Sequence, residues 1–284
     1  MIINHNLAAV KVLISLQRHD KNAARSMQKL SSGLRINRAA DDAAGLAIAD
    51  KMHSRILGLD QAKRNTQDGI SLMQTAEGAM SETTDILQRV RVLAVKSATD
   101  AITDIDRVGI QQEVDELLEE VDRIAGTTQY NTMNLLDGSL SKAAAATTSE
   151  KRRQGPAIIH IGPDTGQNMK ITINSMNAAA LGVGGLQVSS REDAAAALSV
   201  LDTALQRVST ERGKVGAKEN RLEHTSNCIA VETENLMAAE SRIRDVDMAK
   251  EMMNYAKSNL LSQAATAMLF RVYHESRTVL QLLR

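Results

Sequence analysis

The histidine, glutamate and cysteine side chains of this sequence are the ones whose chemistry could support metal binding or nucleophilic catalysis. His274 and Glu275 begin the pattern of a zinc protease, in which a second histidine follows the glutamate by three residues. Thr278 occupies that position, so the imidazole pair that would hold the metal is incomplete. The other histidines show no ligand spacing either: His5, His19, His53, His160 and His224. The sequence therefore predicts no metal and no catalytic residue.

The remaining reactive or ligand-like features are equally isolated. Cys228 is the single cysteine, which excludes an intramolecular disulfide, and we interpret it as an inert, partly buried thiol. The glycine-rich segment 182–185 does not continue as a phosphate-binding loop, because position 187 is Gln. No cofactor is predicted, and the chain is expected not to be an enzyme.

The composition indicates which elements must carry the function. Apolar residues make up 43% of the chain, but aromatic residues only 1%, with no Trp. The buried surface must come from Ala, Leu, Ile, Val and Met, which suits long helices packed side by side. The strongest helix breaker occurs only at Pro156 and Pro163. The predicted fold class is mainly α.

Charge and hydropathy exclude several classes of protein. The 34 basic and 34 acidic residues give a formal net charge of zero, which argues against a nucleic-acid-binding protein and suits dense self-assembly. No apolar run is long enough to span a membrane, so neither nucleic acid nor membrane is an expected partner. The segment from Met1 to Val10 lacks the regions of a conventional secretory signal, which by itself favours a cytosolic protein.

A seven-residue repeat is the most informative pattern of the C-terminal half. One apolar position recurs at strict intervals of seven, in Leu201, Val208, Val215, Leu222, Ile229, Leu236 and Ile243. We call this row the seam; its companion position turns polar after Leu205. A helix over residues 191–241 would be roughly 75 Å long at a rise of about 1.5 Å per residue. Such a coiled-coil stripe needs partner helices for its burial.

The N-terminal half supplies the partner helices. Apolar residues alternate in steps of four and three over 72–93 and again over 110–124. Asp104 is expected to cap the second of these helices, and residues 134–138 are expected to form a turn after it. Three long amphipathic helices predict an antiparallel bundle.

Both ends of the chain carry apolar stripes at helical spacing, although chain termini are usually frayed and polar. Because no core within the chain is available to receive them, these stripes predict burial against other chains. The candidate assembly residues are Ile3, Leu7, Val10 and Ile14 near one end and Met253, Leu260, Leu280 and Leu283 near the other.

Residues 139–190 differ in composition from both halves, since they contain both prolines, a run of alanines and the basic trio Lys151–Arg153. Two short alternating runs, 157–161 and 169–173, flank the turn-forming segment 162–166. This pattern predicts a small β-hairpin on top of a helical rod and no large inserted domain.

Several blocks of this sequence resemble those of the bacterial flagellins. The first is KLSSGLRINRAADDAAGLAI at 29–48, followed by NTQDGISLMQTAE at 65–77 and QRVRVLAV at 88–95. The C-terminal half continues with GAKENRLEH at 216–224, AESRIRDVDMAKEM at 239–252 and the closing VLQLLR. The blocks stand in the family's order and cover about the first 138 and the last 95 residues, together with the hairpin region. The chain is similar to the short members of that family.

The resemblance implies a coiled-coil rod with little or no outer variable domain. Residues 1–34 and 242–284 would be the paired terminal helices of an inner core, and 191–241 the long helix of an outer core. Residues 35–138 would hold a connector and further outer-core helices, and 139–190 a short variable region with the hairpin. The charged side chains of the connector are expected to form ion pairs and caps that fix the angle between the domains. They are Arg35, Arg38, Asp41 and Asp42.

The implied function is that of a structural subunit of the motility filament of the bacterial flagellum, outside the cell. Such subunits leave through the flagellar type III export system without a cleaved signal and polymerise through their terminal helices. The implied partners are copies of the same chain, an export chaperone at the C-terminal helix, the filament cap and the hook-associated proteins. The alternatives are a hook–filament junction protein and a secreted coiled-coil module that stays soluble.

Three positions match those that the mammalian Toll-like receptor for flagellin contacts in recognised family members: Arg89, Leu93 and Glu113. Arg89 and Leu93 are four residues apart and are expected to share a helix face. Val92 departs from the family, which commonly has an acidic residue there. Host recognition is therefore an expected property of the chain but not its purpose.

The segment before the closing VLQLLR is a second departure from the family pattern, which usually has small polar residues here. Phe270, Val272 and Tyr273 are bulky, and charged side chains alternate with them. If this segment lines the central channel of a filament, the channel surface is altered.

Overall fold

The computed structural model describes residues 6–141 and 155–282, with residues 276–282 described by their backbone only. Long helices dominate this part of the chain, which confirms the predicted fold class. The helices are α1 (Leu7–Ser32), α2 (Ala43–Ser97), α3 (Asp104–Thr127), α4 (Ala178–Leu181), α5 (Arg191–Arg244) and α6 (Met248–Leu282). The strands are β1 (Gln129–Tyr130), β2 (Met133–Asn134), β3 (Ala157–His160) and β4 (Asn168–Ile171). The alanine run and Lys151–Arg153 lie outside the described residues.

The chain divides into two compact units. The central unit is Leu57–Thr233, and the terminal unit joins Met1–Ile56 to Glu234–Arg284. The helices α1 and α6 belong to the terminal unit alone, whereas α2 and α5 contribute residues to both. The five segments expected from the sequence stay a prediction, because these units are defined by packing and not by family boundaries.

In the central unit, α2, α3 and α5 share one hydrophobic core, as the predicted helical bundle requires. The seam of α5 is buried from Leu201 to Ile229, with at most 5% of any seam residue exposed. The same core contains fully buried residues of α2 and α3, among them Met73, Met80, Leu87, Val114 and Val121. Aliphatic and methionine side chains thus provide the buried area that an aromatic-poor chain cannot take from rings.

The polar companion positions of the seam make contacts with α2. Gln74 Nε2 donates a hydrogen bond to Glu219 Oε1 at 2.9 Å, and Arg212 Nη2 lies 3.5 Å from Glu77 Oε1. Residue numbers rise along α2 as they fall along α5, so the two helices run antiparallel. The companion position of α5 is polar after Leu205 because its residues Arg212 and Glu219 pair with polar side chains of α2 beside the buried seam.

The predicted β-hairpin is present. Strands β3 and β4 pair antiparallel, with Ala157 opposite Ile171 and His160 opposite Asn168. Their inward positions alternate with exposed ones, so one face of this small sheet packs on the helices. The alternating pattern in the sequence identified both strands to within a few residues.

The hairpin lies along the side of α2 and not on top of the helices, which corrects the expected position. Two glycines of α2 permit this close approach. A Cβ added at Gly58 would lie 2.8 Å from Pro163 Cβ, and one at Gly69 would lie 2.5 Å from Ile159 Cδ1. Both distances are shorter than a carbon–carbon contact allows, so a larger residue at Gly58 would displace Pro163, and one at Gly69 would force the Ile159 side chain to move.

A second, shorter ladder that the sequence analysis did not predict joins β1 to β2 directly after α3. Its two-residue loop, Asn131 and Thr132, has positive φ angles of 47° and 65°. Positive φ at both central positions is typical of the tightest hairpin turns. Asn adopts it readily, whereas the β-branched Thr132 does so against its steric preference.

Thr103, and not Asp104, caps α3, which corrects the expected N-cap. The Thr103 hydroxyl accepts a hydrogen bond from the Asp106 amide, and the Asp106 carboxylate accepts one from the Thr103 amide at 3.1 Å. Hydrogen bonds from Thr103 hold the pKa of Asp106 below its usual range. A threonine followed three residues later by an acid is a capping box, and this was the signal that the sequence offered.

Candidate assembly surface

The contact between α1 and α6 in the terminal unit has small side chains at its fully buried positions. Ala9, Ala23 and Ser26 of α1 are buried, as is Ala265 of α6. Ala9 and Ala23 stand two heptads apart and so return to the same side of the helix. The distance between packed helices depends on the side chains at their contact, and small ones permit a close approach.

Two polar contacts define the direction of this helix pair. Ser262 Oγ donates a hydrogen bond to Asp20 Oδ1 at 2.7 Å, and Ser26 hydrogen-bonds to the Glu251 carboxylate. Residue numbers fall along α6 as they rise along α1, so the pair is antiparallel. The hydrogen bond from Ser26 is the main reason why the pKa of Glu251 lies below its usual range.

Large apolar side chains of the same two helices face away from their contact. On α1, Leu7 is 66% exposed, Val10 50% and Ile14 52%; on α6, Met253 is 67% and Leu260 66% exposed. The other exposed large apolar residues of this pair are Leu13, Met27, Met248, Met252, Leu261, Met268, Phe270 and Tyr273. Three predicted assembly residues lie outside the residues whose side chains the structure describes: Ile3, Leu280 and Leu283.

This distribution reverses the usual order of a soluble helix pair, in which large apolar residues are inside and small ones outside. Extended exposed apolar patches mark surfaces that bind other molecules. Because burial of apolar surface is worth roughly 25 cal/mol per Å², most of the stabilisation open to α1 and α6 lies on their outer faces. The outer faces of α1 and α6 are therefore suited to chain–chain contact.

The segment between α1 and α2 is held against the segment between α5 and α6. The Arg35 amide donates to Arg244 O at 2.7 Å, and the Val246 amide donates to Gly33 O at 3.0 Å. The Arg35 guanidinium adds a hydrogen bond from Nε to Ile243 O at 3.1 Å. This backbone clasp joins the two connecting segments within the terminal unit.

The other predicted connector residues act on the backbone of their own segment. Asp41 Oδ2 accepts a hydrogen bond from the Arg38 amide at 3.2 Å, and Asp42 Oδ1 accepts one from the Gly45 amide at 2.9 Å, which caps α2. Among the residues that the structure describes, neither carboxylate forms an ion pair with Arg35 or Arg38. The contacts of these four residues are thus caps and carbonyl contacts, and the predicted control of a domain angle stays a prediction.

Arg89 and Glu113, two of the three residues matched to receptor contacts, lie together on the surface of the central unit. Arg89 Nη2 is 2.6 Å from Glu113 Oε1, and their side chains are 56% and 44% exposed. Leu93, by contrast, is only 3% exposed and belongs to the core. The structure therefore brings Arg89 and Glu113 to one surface without Leu93.

The remaining candidates for chemistry stay dispersed. In the described part of the chain, no three His, Cys, Asp or Glu residues come together in a way that could hold a metal ion. Cys228 is exposed, which corrects the predicted partly buried thiol. A rotation of about 100° per residue turns it away from the core that its neighbour Ile229 joins. Within the same described ranges, no helix combines the length and apolar character needed to cross a membrane.

Comparison with known proteins assigns the family. Residues 3–141 match the model of the bacterial flagellin N-terminal helical region, and residues 198–283 match that of the C-terminal helical region. The flagellar filament 33 kDa core protein of Treponema phagedenis is 46% identical over 290 residues, which cover 100% of both chains. The chain belongs to the bacterial flagellin family. The flagellin of Bacillus subtilis (strain 168) is likewise 46% identical to this flagellin over 308 residues, with 100% of both chains covered.

Among solved structures, a putative flagellar hook-associated protein from Vibrio parahaemolyticus matches with a TM-score of 0.57. It is 14% identical, and the match covers 72% of this flagellin and 100% of that chain. At this identity the likeness concerns the fold alone. As a flagellin, the chain is a structural subunit of the bacterial flagellar filament, which is extracellular.

The inner side of the α1–α6 pair is what the sequence analysis missed. The stripes of large apolar residues do not point to Ala9, Ala23 and Ser26, which are the buried residues of α1. The signal in the sequence was weak, because Leu16 stands between Ala9 and Ala23 at the same heptad position. The predicted assembly residues whose side chains are described are exposed, and their role in assembly stays a prediction.

Proposed function

We propose that this flagellin polymerises into the filament through the outer faces of α1 and α6. The observation that carries the proposal is the reversed burial of this pair, with Ala9 and Ala23 inside and Leu7, Met253 and Leu260 about two-thirds exposed. Contact with neighbouring copies would cover these side chains. The family membership of the chain supports the same assignment.

The energetics favour a surface shared among several neighbours. Each copy that joins a filament loses translational and rotational freedom, which costs several kcal/mol. Full burial of one large aliphatic or methionine side chain contributes about 1.5–3 kcal/mol. Several such side chains lie on each of the two helices, so contacts with more than one neighbour can offset that cost.

Deletion of either terminal helix tests the proposal. A chain without residues 1–35 loses α1, and a chain without residues 245–284 loses α6, while the core of the central unit keeps its residues. Both truncated chains are expected to stay helical by circular dichroism and to form no filaments on added filament seeds. The full chain under the same conditions is the control. Normal filaments from either truncated chain, seen by negative-stain electron microscopy, would contradict the proposed mechanism.

Export through the flagellar type III system is proposed to precede assembly. An uncovered surface that includes Met253, Leu260 and Phe270 would favour aggregation inside the cell. A dedicated chaperone on α6 would cover it before export. The filament cap and the hook-associated proteins are the further proposed partners, and family membership is what supports them.

The mammalian Toll-like receptor for flagellin is a proposed host partner. Its support is the exposed ion pair of Arg89 and Glu113, which offers both charges on one surface. Leu93 would act indirectly, by holding α2 in the core beneath that surface. We propose a structural role without catalysis, and no observation favours the hook–filament junction alternative over the filament subunit.

A further inference from the structure

The charges of the central unit are unevenly distributed, although the whole chain has a formal net charge of zero. Eight acidic residues and two basic ones give α3 a formal charge of −6. The acidic residues are Asp104, Asp106, Glu113, Asp115, Glu116, Glu119, Glu120 and Asp122, and the basic ones are Arg107 and Arg123. The compensating positive charge must lie on other elements of the chain.

Basic residues collect on one surface formed by α5 and β4, which we call the basic face: Lys170, Lys214, Lys218 and Arg221. The last three are four and three residues apart and so share one side of α5. Lys218 Nζ donates hydrogen bonds to Thr172 O at 3.0 Å and to Thr172 Oγ1 at 2.9 Å. Because Thr172 stands two residues after Lys170, this contact brings the exposed Lys170 to the same surface.

The three cations of α5 in the basic face are close enough for Lys214 and Arg221 to act on Lys218. Burial lowers the pKa of Lys218, and the charges of Lys214 and Arg221 lower it further, against the opposing effect of Glu211. Glu211 Oε1 lies 2.6 Å from Lys214 Nζ and neutralises one of the charges. Within the described residues, Lys170 and Arg221 form no ion pair. The basic face therefore keeps an excess of positive charge.

Three carboxylates of α3 form an acidic face: Asp115, Glu116 and Glu119. All three are exposed, and spacings of three and four residues bring Glu119 next to both of the others. Asp115 accepts a hydrogen bond from Gln111 at 2.8 Å. No ion pair to any of the three occurs in the described part of the chain, and like charges at this spacing repel one another.

Within one copy, the described residues of the acidic face and the basic face do not pair with each other. In the described ranges no ion pair joins them, and Asp122, one turn further along α3, is occupied by a hydrogen bond from the Ala178 amide at 2.7 Å. Each copy thus offers one face of each sign, on different elements. Complementary patches of this kind select partners and their orientation.

We propose that the acidic face of one copy binds the basic face of a second copy in the filament. This inference rests on the proposed function, and it names a contact of the central unit in addition to the terminal helices. Because the two faces are different surfaces of the same chain, the contact is heterologous, and a heterologous contact whose rotation does not close a ring continues from copy to copy as a filament. Each copy supplies one face of each sign, which suits a neutral subunit in a dense polymer.

A charge-exchange experiment on the full chain tests this contact. One variant carries Glu116→Lys with Glu119→Lys, and another carries Lys170→Glu with Arg221→Glu; all four positions are exposed. Each variant is expected to need a monomer concentration about tenfold or more above wild type for growth on filament seeds, because like charges then meet. The variant with all four substitutions is expected to return to within about threefold of wild type, since opposite charges face each other again.

A matched control separates this contact from a general effect of charge. Glu82→Lys with Asp85→Lys on α2 changes the net charge as Glu116→Lys with Glu119→Lys does, but at two positions outside both faces. Growth like that of wild type is expected for this control. Circular dichroism melting checks that every variant folds. Normal growth of the variants with one reversed face would overturn the inference. A fourfold variant that grows no better than its parents, or a control that is equally impaired, would do the same. A wild-type chain that fails to grow on seeds would instead refute the proposed function.

Discussion

The central unit and the two terminal helices, α1 and α6, place their large apolar side chains in opposite ways. In the central unit, Met73, Leu201 and Leu222 are fully buried, whereas Leu7 and Leu260 of the terminal unit are each 66% exposed. The residue types are the same in both places, and only their surroundings differ. The comparison teaches that the central unit carries its own core, while α1 and α6 leave their largest apolar side chains uncovered within one chain.

The number of packed elements explains the difference. Three helices and a hairpin surround the core of the central unit, so a stripe on each helix meets partners on more than one side. In the terminal unit, α1 and α6 can each bury only the stripe that faces the other. A helix that is apolar on several sides needs further neighbours to cover it.

The substitution Leu222→Asp provides the largest expected effect within one copy. A carboxylate at this fully buried seam position would lose its hydration without gaining a partner. The free energy of unfolding should fall by about 3–5 kcal/mol. Urea denaturation of the monomer measures it, with Leu222→Met as the volume-conserving control. An unchanged unfolding transition would mean that the seam faces solvent.

The same substitution in the terminal unit, Leu260→Asp, should impair filament growth and leave the stability of the monomer nearly unchanged. At an exposed position the free energy of unfolding of the monomer should change by no more than about 0.5 kcal/mol. Growth on filament seeds should be lost, because the charge would enter a contact between copies. Leu260→Met keeps the apolar surface and should grow normally. Normal filaments from Leu260→Asp would remove this residue from the assembly surface.

A pair of glycine substitutions in α2 tests how closely the central unit is packed. Gly58→Ala forces a Cβ against Pro163 and should lower the free energy of unfolding by about 1 kcal/mol. Gly78→Ala meets no atom within 4 Å and should raise it by up to about 1 kcal/mol through helix propensity. Thermal denaturation of both variants measures the difference. Equal shifts would show that the hairpin does not press on α2 at Gly58.

The smallest expected effect is a pH dependence of the α1–α6 contact. Since the pKa of Glu251 is lower in the folded chain than in the unfolded one, its stabilisation is complete above the ordinary glutamate pKa of about 4.3. It is lost as the pH falls below that value through the lowered pKa. The protection factors of α1 amides, which correct each exchange rate for its intrinsic pH dependence, should therefore fall in acid, and less so in Glu251→Gln. A wild-type response identical to that of the variant would exclude this contribution.

Much of the fold could be predicted from the sequence because its signals are local or periodic. The seam at Leu201 and Leu222 repeats every seven residues, and a repeat of that length specifies a helix and its buried side together. The hairpin strands alternate with a period of two, and a turn-forming segment separates them. The capping error at Asp104 was also local, since Thr103 with Asp106 carried the better signal.

The candidate site was only partly predictable, and the reason is geometric. Leu7 and Leu260 could be recognised as apolar residues of terminal helices, but periodicity cannot tell which of several apolar sides meets the intrachain partner. The buried side proved to be the row of Ala9, Ala23 and Ser26. Leu93 is the reverse case, because a residue matched to a receptor contact lies in the core of its own chain.

The sequence by itself determined the long helices, the antiparallel pairing of its halves and the family. Helical periodicity and the ordered sequence blocks are visible along the chain and do not depend on tertiary contacts. Only the tertiary structure decided that Leu34 and Asp245 bring the two connecting segments together, and that the hairpin lies beside Gly58 and Gly69. The acidic and basic faces likewise depend on residues far apart in the chain. Contacts of this kind arise from the close approach of distant segments, and no local pattern of residues encodes that distance.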